Sequence, residues 1–238
     1  MRIGIDLGGT KIEIAVLDAD GAITLRRRVP TPRASYDDTI RALRDLVAGV
    51  EETLGEKPSV GIAIPGSISS RTGLVKNANS TQLIGHAFDR DLAEAVGRPV
   101  RVANDANCFA LSEARDGAGA GQDVVYGVIA GTGVGGGVCV QGRILEGAHG
   151  IGGEWGHNPL PWPTLEEVTA APDCYCGKRG CIETWCSGPG IAADLARVGG
   201  LRMTAAEIVA SDDPRARAAL ERFMDRFSRS IGSLVNIL

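Results

Sequence analysis

Four potential metal ligands occur close together in the second half of the sequence. They are one imidazole and three thiols: His157, Cys174, Cys176 and Cys181. A structural zinc ion takes four nitrogen or sulfur donors in a closed tetrahedral site, so this set predicts such a site with no position left open for a substrate. The alternative is that the three cysteines are free thiols in a loop.

Two carboxylates flank these donors without being needed as metal ligands. Glu154 lies shortly before His157, and Glu183 lies shortly after Cys181. An ionised carboxylate only accepts hydrogen bonds, which suits the hydroxyl groups of a sugar or another polyol. We therefore expect Glu154 and Glu183 to bind a polyhydroxylated ligand beside the metal, which would hold both side chains in place.

Phosphate chemistry is indicated at residues 6–11, DLGGTK, where an apolar run ends in glycines. Glycines let backbone N–H groups approach phosphate oxygens, while a lysine and a hydroxyl group add charge and a hydrogen bond. The segment predicts a phosphate-binding turn, with Asp6 suited to orient magnesium through its water molecules. An ordinary hairpin turn is the alternative. The residues concerned are Asp6, Gly8, Gly9, Thr10 and Lys11.

A second glycine-rich segment, residues 131–136, repeats this theme. Its spacing matches the dinucleotide pattern G-x-G-x-x-G, but that motif requires a helix after the glycines. Residues 137–140 continue as a strand instead. We therefore interpret the segment as a second phosphate turn, carried by Gly131, Thr132 and Gly133.

Asn104 and Asp105 lie where a predicted strand ends and a helix begins. A carboxylate at such a position can accept a proton from a substrate hydroxyl. Helix capping by Asn104, with Asp105 favoured by the helix dipole, explains the pair equally well. Gly66 and Asn79 lie in two further segments whose small and amide side chains suit a neutral polar ligand or a plain loop.

Hydrophobic patterning places these residues on alternating strands and helices. Residues 2–7, 12–18 and 23–29 predict a three-stranded meander, followed by a helix over residues 36–54 and a fully buried strand over residues 59–65. The remaining predicted elements are helices over 89–96, 104–114, 188–198, 204–210 and 214–238, and strands over 99–103, 124–130 and 137–140.

Two hairpins, each with a glycine-threonine turn, indicate an internal duplication. The pattern predicts two α/β domains around a ligand-binding cleft, residues 1–117 and 118–238. The second copy lacks the later strands of the first, so we expect the second domain to be truncated at its C-terminal end.

Composition excludes several classes of protein. The 238 residues are 44% hydrophobic, enough for one or two buried cores, and the net charge of -4 provides no basic field for nucleic acid or an anionic membrane. No apolar run approaches the length of a membrane-spanning helix, and the N-terminal residues lack the form of a signal peptide. We expect a cytoplasmic protein with reduced thiols.

Six segments together resemble the ROK family of sugar kinases and repressors: residues 6–11, 64–66, 104–107, 131–137, 154–157 and 174–183. The resemblance runs along the whole chain in order and spacing. It implies the duplicated actin-like or hexokinase-like (ribonuclease H-like) α/β fold and transfer of the γ-phosphoryl group of ATP, with Mg²⁺, to a hexose. It also implies a homodimer for the full-length protein.

The resemblance assigns roles to individual residues. Asp105 is expected to be the general base, and zinc is expected to organise the sugar-binding loop. The residues expected to bind sugar hydroxyls are Asn104, Glu154, His157 and Glu183. Family members continue beyond residues 236–238 into a strand, a glycine-rich turn that helps to hold adenosine, and a final helix.

Two shorter segments, residues 76–81 and 157–162, look like the bacterial fructokinases that also accept mannose. We therefore predict a fructokinase, with a glucokinase or N-acetylglucosamine kinase of the same family as the alternative. A DNA-binding repressor is not expected, because the first strand begins at Arg2 and the net charge is negative. A sugar-binding sensor or an inactive fragment is the alternative from another functional class.

Overall fold

The computed structural model describes residues 1–32, 34–78 and 80–238. They form two compact units, residues 1–108 with 146–151, and residues 109–145 with 152–238. The return of residues 146–151 to the first unit is not anticipated by the sequence pattern. The sequence-based division at residue 117 stays a prediction.

A five-stranded mixed sheet forms the centre of the first unit, in the order β3-β2-β1-β4-β7. β1, β4 and β7 are parallel neighbours, whereas β2 and β3 continue from β1 as an antiparallel meander. A separate two-stranded ribbon pairs β5 with β6. The strands are β1 (Arg2–Leu7), β2 (Lys11–Leu17), β3 (Ile23–Pro30), β4 (Ser59–Ile64), β5 (Ser67–Ile68), β6 (Val75–Lys76) and β7 (Val100–Asn104).

Two helices pack with this sheet, α1 (Tyr36–Leu54) and α2 (Phe88–Val96), as the sequence pattern predicts. The hydroxyl of Ser35 caps α1 by accepting a hydrogen bond from the Asp38 N–H at 3.1 Å. The helix ends at Gly55, whose φ of 68° suits glycine. Its apolar stripe packs into a core built from alternate residues of the strands, because successive strand side chains point to opposite faces.

Helix α3 (Asp105–Asp116) begins in the first unit and continues in the second. The second unit contains a three-stranded sheet of order β10-β9-β8, formed by β8 (Val124–Ala130), β9 (Val134–Val140) and β10 (Arg143–Ile144). Its helices are α4 (Leu165–Thr169), α5 (Ile182–Cys186), α6 (Gly188–Asp194), α7 (Ala205–Ala210) and α8 (Pro214–Val235), with a 3₁₀ turn at Trp155–His157 and a π-helical turn at Leu195–Gly199.

A buried ionic network fixes three of these helices. Arg226 on α8 donates to Glu167 on α4 at 2.7 Å and to Asp194 on α6 at 3.0 Å. Burial alone would raise the pKa of Glu167, but hydrogen bonds from Arg226, the Thr164 N–H and Arg229 bring it below its ordinary value. Glu167 is therefore charged at neutral pH, and both acids are paired with Arg226, as buried acidic groups require.

None of the helices in the described part of the chain combines the length and the apolar character that crossing a bilayer requires. The element predictions are confirmed for β1 to β4, α1, α2 and β8 within a few residues. β9 differs, since it begins at Val134 rather than at the predicted residue 137.

Candidate functional site

The first group of candidate residues lies at one edge of the five-stranded sheet. Because β1, β4 and β7 are parallel, their carboxyl ends meet at the same edge. Asp6 is paired with Ala63, and Ile64 is paired with Asn104, so the segments that follow the three strands lie side by side. The candidate residues at this edge are Asp6, Gly8, Gly9, Thr10, Lys11, Gly66, Asn104 and Asp105.

The turn between β1 and β2 is fixed by backbone hydrogen bonds. Gly8 N–H donates to the Lys11 carbonyl at 3.0 Å, and Thr31 donates from its hydroxyl to the Gly8 carbonyl at 2.7 Å. A Cβ on Gly8 would lie 3.0 Å from the Lys11 carbonyl oxygen, a distance that leaves almost no room for a side chain. The turn is thus a preformed backbone loop of the kind that can bind an anion.

Negative charge is concentrated beside this turn. Burial raises the pKa of Asp6 above its ordinary 3.8, and the charges of Asp105 and Glu13 raise it further against the opposing effect of Lys11. A divalent cation would relieve this repulsion, since a bound ion reverses the local electrostatics. The surroundings of Asp6 therefore fit the predicted role near Mg²⁺.

Asp105 is the first residue of α3 and its side chain is partly exposed. Its Oδ1 accepts a hydrogen bond from the Ala106 N–H at 2.8 Å. Partial removal of the Asp105 carboxyl group from water raises its pKa above 3.8, although the hydrogen bond from the Ala106 N–H opposes that shift. A carboxylate whose pKa moves toward neutrality is a better general base, so the shift has the direction that proton abstraction needs.

Asn104 joins β7 to the loop after β4. Its Nδ2 donates to the Gly66 carbonyl at 2.9 Å, and its Oδ1 accepts from the Asn107 N–H at 3.1 Å. The predicted capping of α3 is therefore confirmed. A hydrogen bond from the Asn104 side chain also acts on the Asp105 carboxylate and opposes the rise of its pKa. The sugar-binding role of Asn104 stays a prediction.

Gly66 occupies a position that excludes every other residue type. Its φ is +85°, and a Cβ there would lie 2.5 Å from the Lys76 carbonyl oxygen and 2.9 Å from Ala78. Gly66 therefore contributes backbone geometry, since it has no side chain to offer a ligand. The predicted role of Asn79 lies outside the described residues.

In the second unit, the segment that contains Glu154 lies directly on the backbone of β9. A Cβ on Gly153 would lie 2.2 Å from the Gly136 carbonyl oxygen, and one on Gly156 would lie 1.9 Å from the Val134 carbonyl oxygen. This close contact is possible only because Gly153 and Gly156 have no side chains.

Only residues 131–133 form the turn, and Gly135 and Gly136 belong to β9. A Cβ on Gly136 would lie 2.5 Å from the Tyr126 ring, so this glycine is required by packing.

Two aromatic side chains hold the segment around Glu154. Trp155 donates from Nε1 to the Gly135 carbonyl at 2.8 Å, and Tyr126 donates from its hydroxyl to the Gly153 carbonyl at 2.7 Å. Burial, together with the charge of Glu154, raises the pKa of Tyr126 well above its usual range. Tyr126 therefore remains a hydrogen-bond donor. Sequence reasoning missed this residue, because a tyrosine within a strand pattern carries no signal of a positioning role.

Glu183 on α5 is joined to the turn at residues 131–133. Its Oε2 accepts a hydrogen bond from the Val134 N–H at 2.8 Å. The Gly131 carbonyl of the same turn accepts from the Gly188 N–H at 2.7 Å. Two residues predicted for different ligands, Glu183 for sugar and Gly133 for phosphate, therefore lie next to each other.

The four predicted metal ligands come together in the second unit. One donor atom from each of His157, Cys174, Cys176 and Cys181 lies within 4.8 Å of the other three. The Cys176 and Cys181 sulfurs are 3.6 Å apart, and the Cys174 sulfur lies 3.5 Å from His157 Nδ1. A tetrahedral zinc site with ligand distances of about 2.3 Å to sulfur and about 2.0 Å to nitrogen has edges of about 3.8 Å and about 3.5 Å. The donor set therefore fits zinc in number and chemistry, and these two donor pairs have separations close to the edges of such a site.

His157 presents its two nitrogens to different partners. Nδ1 faces the cysteine sulfurs, and Nε2 lies 2.9 Å from the Tyr175 hydroxyl. With Nδ1 on a metal, the proton resides on Nε2, which then donates outward. The geometry is therefore compatible with the predicted place of His157 in the metal cluster. Its role toward a sugar stays a prediction, because Nε2 faces the Tyr175 hydroxyl in this structure.

A cavity of about 840 Å³ opens beside the turn at residues 131–133. Its walls come from the start of α6, from α7 and from α8, and they are mainly apolar. Its volume lies within the range of small-molecule binding sites. Sequence reasoning did not identify this cavity, because its lining is assembled from separate helices with ordinary composition. Representative lining residues are Gly131, Ser187, Pro189, Met203, Ala206 and Phe223.

The ROK family model matches residues 2–238 of the chain. The chain is 42% identical over 244 residues to N-acetyl-D-glucosamine kinase of Yersinia enterocolitica, an alignment that covers 100% of this chain and 80% of that protein.

Solved structures resemble the chain over its whole length. The ROK hexokinase of Thermus thermophilus superposes with a TM-score of 0.84 at 31% identity, covering 100% of this chain and 78% of that one. A ROK glucokinase of Streptomyces griseus, solved with glucose and AMPPNP, gives a TM-score of 0.75 at 28% identity, covering 100% and 80%. The predicted two-domain, hexokinase-like α/β fold is confirmed.

Proposed function

The chain belongs to the ROK family, and we propose that it is an ATP-dependent hexose kinase that phosphorylates the 6-hydroxyl group of N-acetylglucosamine. The observation that carries a kinase role is the placement of Asp105 and Asp6 at one sheet edge, beside a rigid glycine turn. Phosphoryl transfer requires positioning and charge neutralisation more than covalent participation by the protein. The placement of Asp6 and Asp105 beside the glycine turn is suited to both requirements.

The first unit supplies the base and part of the phosphate site. Asp105 accepts the proton of the attacking hydroxyl, which makes the oxygen a better nucleophile. The turn after β1 offers phosphate oxygens backbone N–H groups other than that of Gly8, which bonds the Lys11 carbonyl. Thr10 and Lys11 add a hydroxyl and a positive charge. Mg²⁺, held near Asp6, would neutralise the phosphate charge when bound.

The second unit supplies the sugar side chains and the other phosphate turn. Glu154 and Glu183 accept hydrogen bonds from sugar hydroxyls, and His157 donates one from Nε2. The proposed zinc ligands are His157 and the cysteines 174, 176 and 181, whose closed site would keep the sugar-binding loop rigid. The cavity beside residues 131–133 would take the adenosine part of ATP.

Two substrates are candidates, and different observations favour them. The identity of 42% to an N-acetyl-D-glucosamine kinase supports N-acetylglucosamine. The fructokinase-like segments 76–81 and 157–162 favour fructose, with mannose as a further acceptor. We rank N-acetylglucosamine first, because the identity extends over the whole chain whereas the two segments cover few residues. The homodimer and the cytoplasmic location stay predictions.

A coupled assay of ADP release ranks the substrates. N-acetylglucosamine, fructose, mannose and glucose are compared at equal concentrations, with ATP and Mg²⁺, and products are checked by mass spectrometry for a hexose 6-phosphate. We expect the highest kcat/KM for N-acetylglucosamine. A preference for fructose by tenfold or more, which corresponds to about 1.4 kcal/mol in transition-state binding, would select the second candidate. ADP release with none of the four sugars would reject the kinase proposal.

A further inference from the structure

The turn at residues 131–133 is held by a side chain from outside its own hairpin. β8 and β9 pair up to Ala130 and Val134, so the three residues between them form the tip. The Val134 N–H, at the base of this tip, donates to Glu183 Oε2 at 2.8 Å. The tip is also closed by its own backbone, since the Gly131 N–H donates to the Gly133 carbonyl at 2.8 Å.

Gly133 lies directly against the Glu183 carboxylate. A Cβ on Gly133 would lie 2.5 Å from Glu183 Oε2 and 3.4 Å from its carboxyl carbon, whereas a Cβ on Gly131 would meet nothing within 4 Å. A side chain at position 133 would therefore displace the Glu183 carboxylate from its place beside the tip.

The second oxygen of Glu183 is available to a ligand. Oε1 accepts no hydrogen bond from any residue in the described ranges, while Oε2 is engaged by Val134. A carboxylate can accept on both oxygens at once. A sugar hydroxyl on Oε1 and the Val134 N–H on Oε2 would then fix the same side chain.

We propose that Glu183 is a positioning residue for the phosphate turn, and that through it the binding of sugar and the binding of nucleotide favour each other. The identities of the two ligands rest on the proposed function. A sugar on Oε1 restrains the Glu183 side chain, which restrains the Val134 N–H and the tip. A nucleotide phosphate on the tip restrains the same carboxylate from the other side, so the coupling is reciprocal.

Backbone contacts support this path. The Glu183 carbonyl accepts from the Ser187 N–H at 3.1 Å, and the next residue, Gly188, donates to the Gly131 carbonyl at 2.7 Å. The chain from α5 to α6 is thus attached to both sides of the tip. A displacement of Glu183 is transmitted to the turn by a side-chain contact and by this short backbone segment.

The first experiment measures ADP affinity, with Mg²⁺ and without sugar, by titration calorimetry. Glu183→Ala should weaken ADP binding by about 5-fold or more, the lower end of typical coupling between sites. Glu183→Gln should retain most of the affinity, because its amide oxygen can still accept from Val134. Thr184→Val, on the same helix, is the control and should bind ADP like the wild type. Unchanged ADP affinity in Glu183→Ala would overturn the proposal.

The reciprocal experiment measures the affinity for N-acetylglucosamine without nucleotide. Gly133→Ala should weaken sugar binding by about 5-fold or more, because its Cβ displaces Glu183. The matched variant Gly135→Ala, whose Cβ would meet nothing within 4 Å, should not. Equal sugar affinities in the two variants would contradict the coupling. A general loss of folding would instead lower both affinities in either variant, which thermal melts detect.

The two experiments test the positioning role of Glu183 separately from the proposed kinase activity, on which that role rests. The ADP measurement requires no sugar, so it decides the positioning role whichever hexose is the substrate. If the wild type phosphorylates no hexose while Glu183→Ala still loses ADP affinity, the kinase proposal fails and the positioning role stands. If the wild type is an active kinase and Glu183→Ala binds ADP normally, only the positioning role fails.

Discussion

The side-chain amide of Asn104 donates a hydrogen bond to the carbonyl oxygen of Gly66 at 2.9 Å. This contact connects the end of β7, where Asp105 begins its helix, to the loop that follows β4. It depends on the left-handed backbone of Gly66. The Asn104 side chain is therefore held by the backbone carbonyl of Gly66.

Gly66→Ala should destabilise the protein and weaken hexose binding. Positive φ strain costs about 1–3 kcal/mol, and the new Cβ would also clash with the Lys76 carbonyl at 2.5 Å. Gly85→Ala is the matched control, since Gly85 has φ +83° and nothing within 4 Å of its Cβ position. Thermal melts should show a larger loss for Gly66→Ala. Equal losses in the two variants would mean that the loop relaxes around the added methyl group.

Removal of the metal should weaken sugar binding before it unfolds the protein. We expect about one zinc ion per chain, because four donors fit one tetrahedral site. Cys176→Ser should lower zinc content and hexose affinity together, since the segment that leads into α5, which carries Glu183, loses its anchor. Cys139→Ala, a buried cysteine outside the cluster, should change neither. Elemental analysis and calorimetry test both variants, and normal sugar binding by zinc-free protein would refute this role of the metal.

The raised pKa of Asp105 has a consequence for stability. A carboxyl whose folded pKa lies above its unfolded value favours folding only in its protonated form, so this contribution is lost as the pH rises through the folded pKa. Asp105→Asn should therefore increase thermal stability at pH 7.5 and have no such effect below the unfolded value of 3.8. The gain should be small, because the side chain is partly exposed. A decrease in stability at pH 7.5 would show that the ionised form is favoured instead.

A bulky residue in the large cavity should separate nucleotide binding from sugar binding. Ala206 lines this cavity, and Ala210 on the same helix does not. Ala206→Trp should raise the KM for ATP by roughly tenfold, equivalent to about 1.4 kcal/mol of lost binding, with hexose affinity unchanged. Ala210→Trp should leave both constants near the wild-type values. A raised hexose Kd in Ala206→Trp alone would place the sugar, not the nucleotide, near this cavity.

The strands and helices of the first unit could be predicted from hydrophobic spacing, because α1 and the strands β1 and β2 bury regular faces. The metal cluster could also be predicted, since ligand chemistry depends on residue type. The Glu183 to Val134 hydrogen bond could not, because it joins a side chain to a backbone group that every residue except proline possesses. The cavity beside residues 131–133 escaped prediction for a similar reason, as it is formed by tertiary packing.

The glycines of residues 131–137 show the limit of motif reasoning. Their number predicts phosphate binding, yet a Cβ on Gly136 would lie 2.5 Å from the Tyr126 ring and 2.6 Å from the Gly127 carbonyl oxygen, so this glycine is required by packing. Glycines are required both where two backbones pack closely and where a turn binds a ligand. A run of glycines in the sequence therefore looks the same in the two cases. Only the structure separates these two requirements.

The central claim is that this chain is a hexose kinase with Asp105 as its general base, and one comparison tests it most directly. The kcat of Asp105→Asn is measured in the coupled ADP assay with the preferred hexose, beside the Kd for that hexose from calorimetry. We predict that kcat falls by about 10²–10⁴, the usual contribution of a general base, while the Kd stays within a few-fold of the wild type. A near-normal kcat in Asp105→Asn would contradict the account and leave Asp105 with only a structural role at the start of α3.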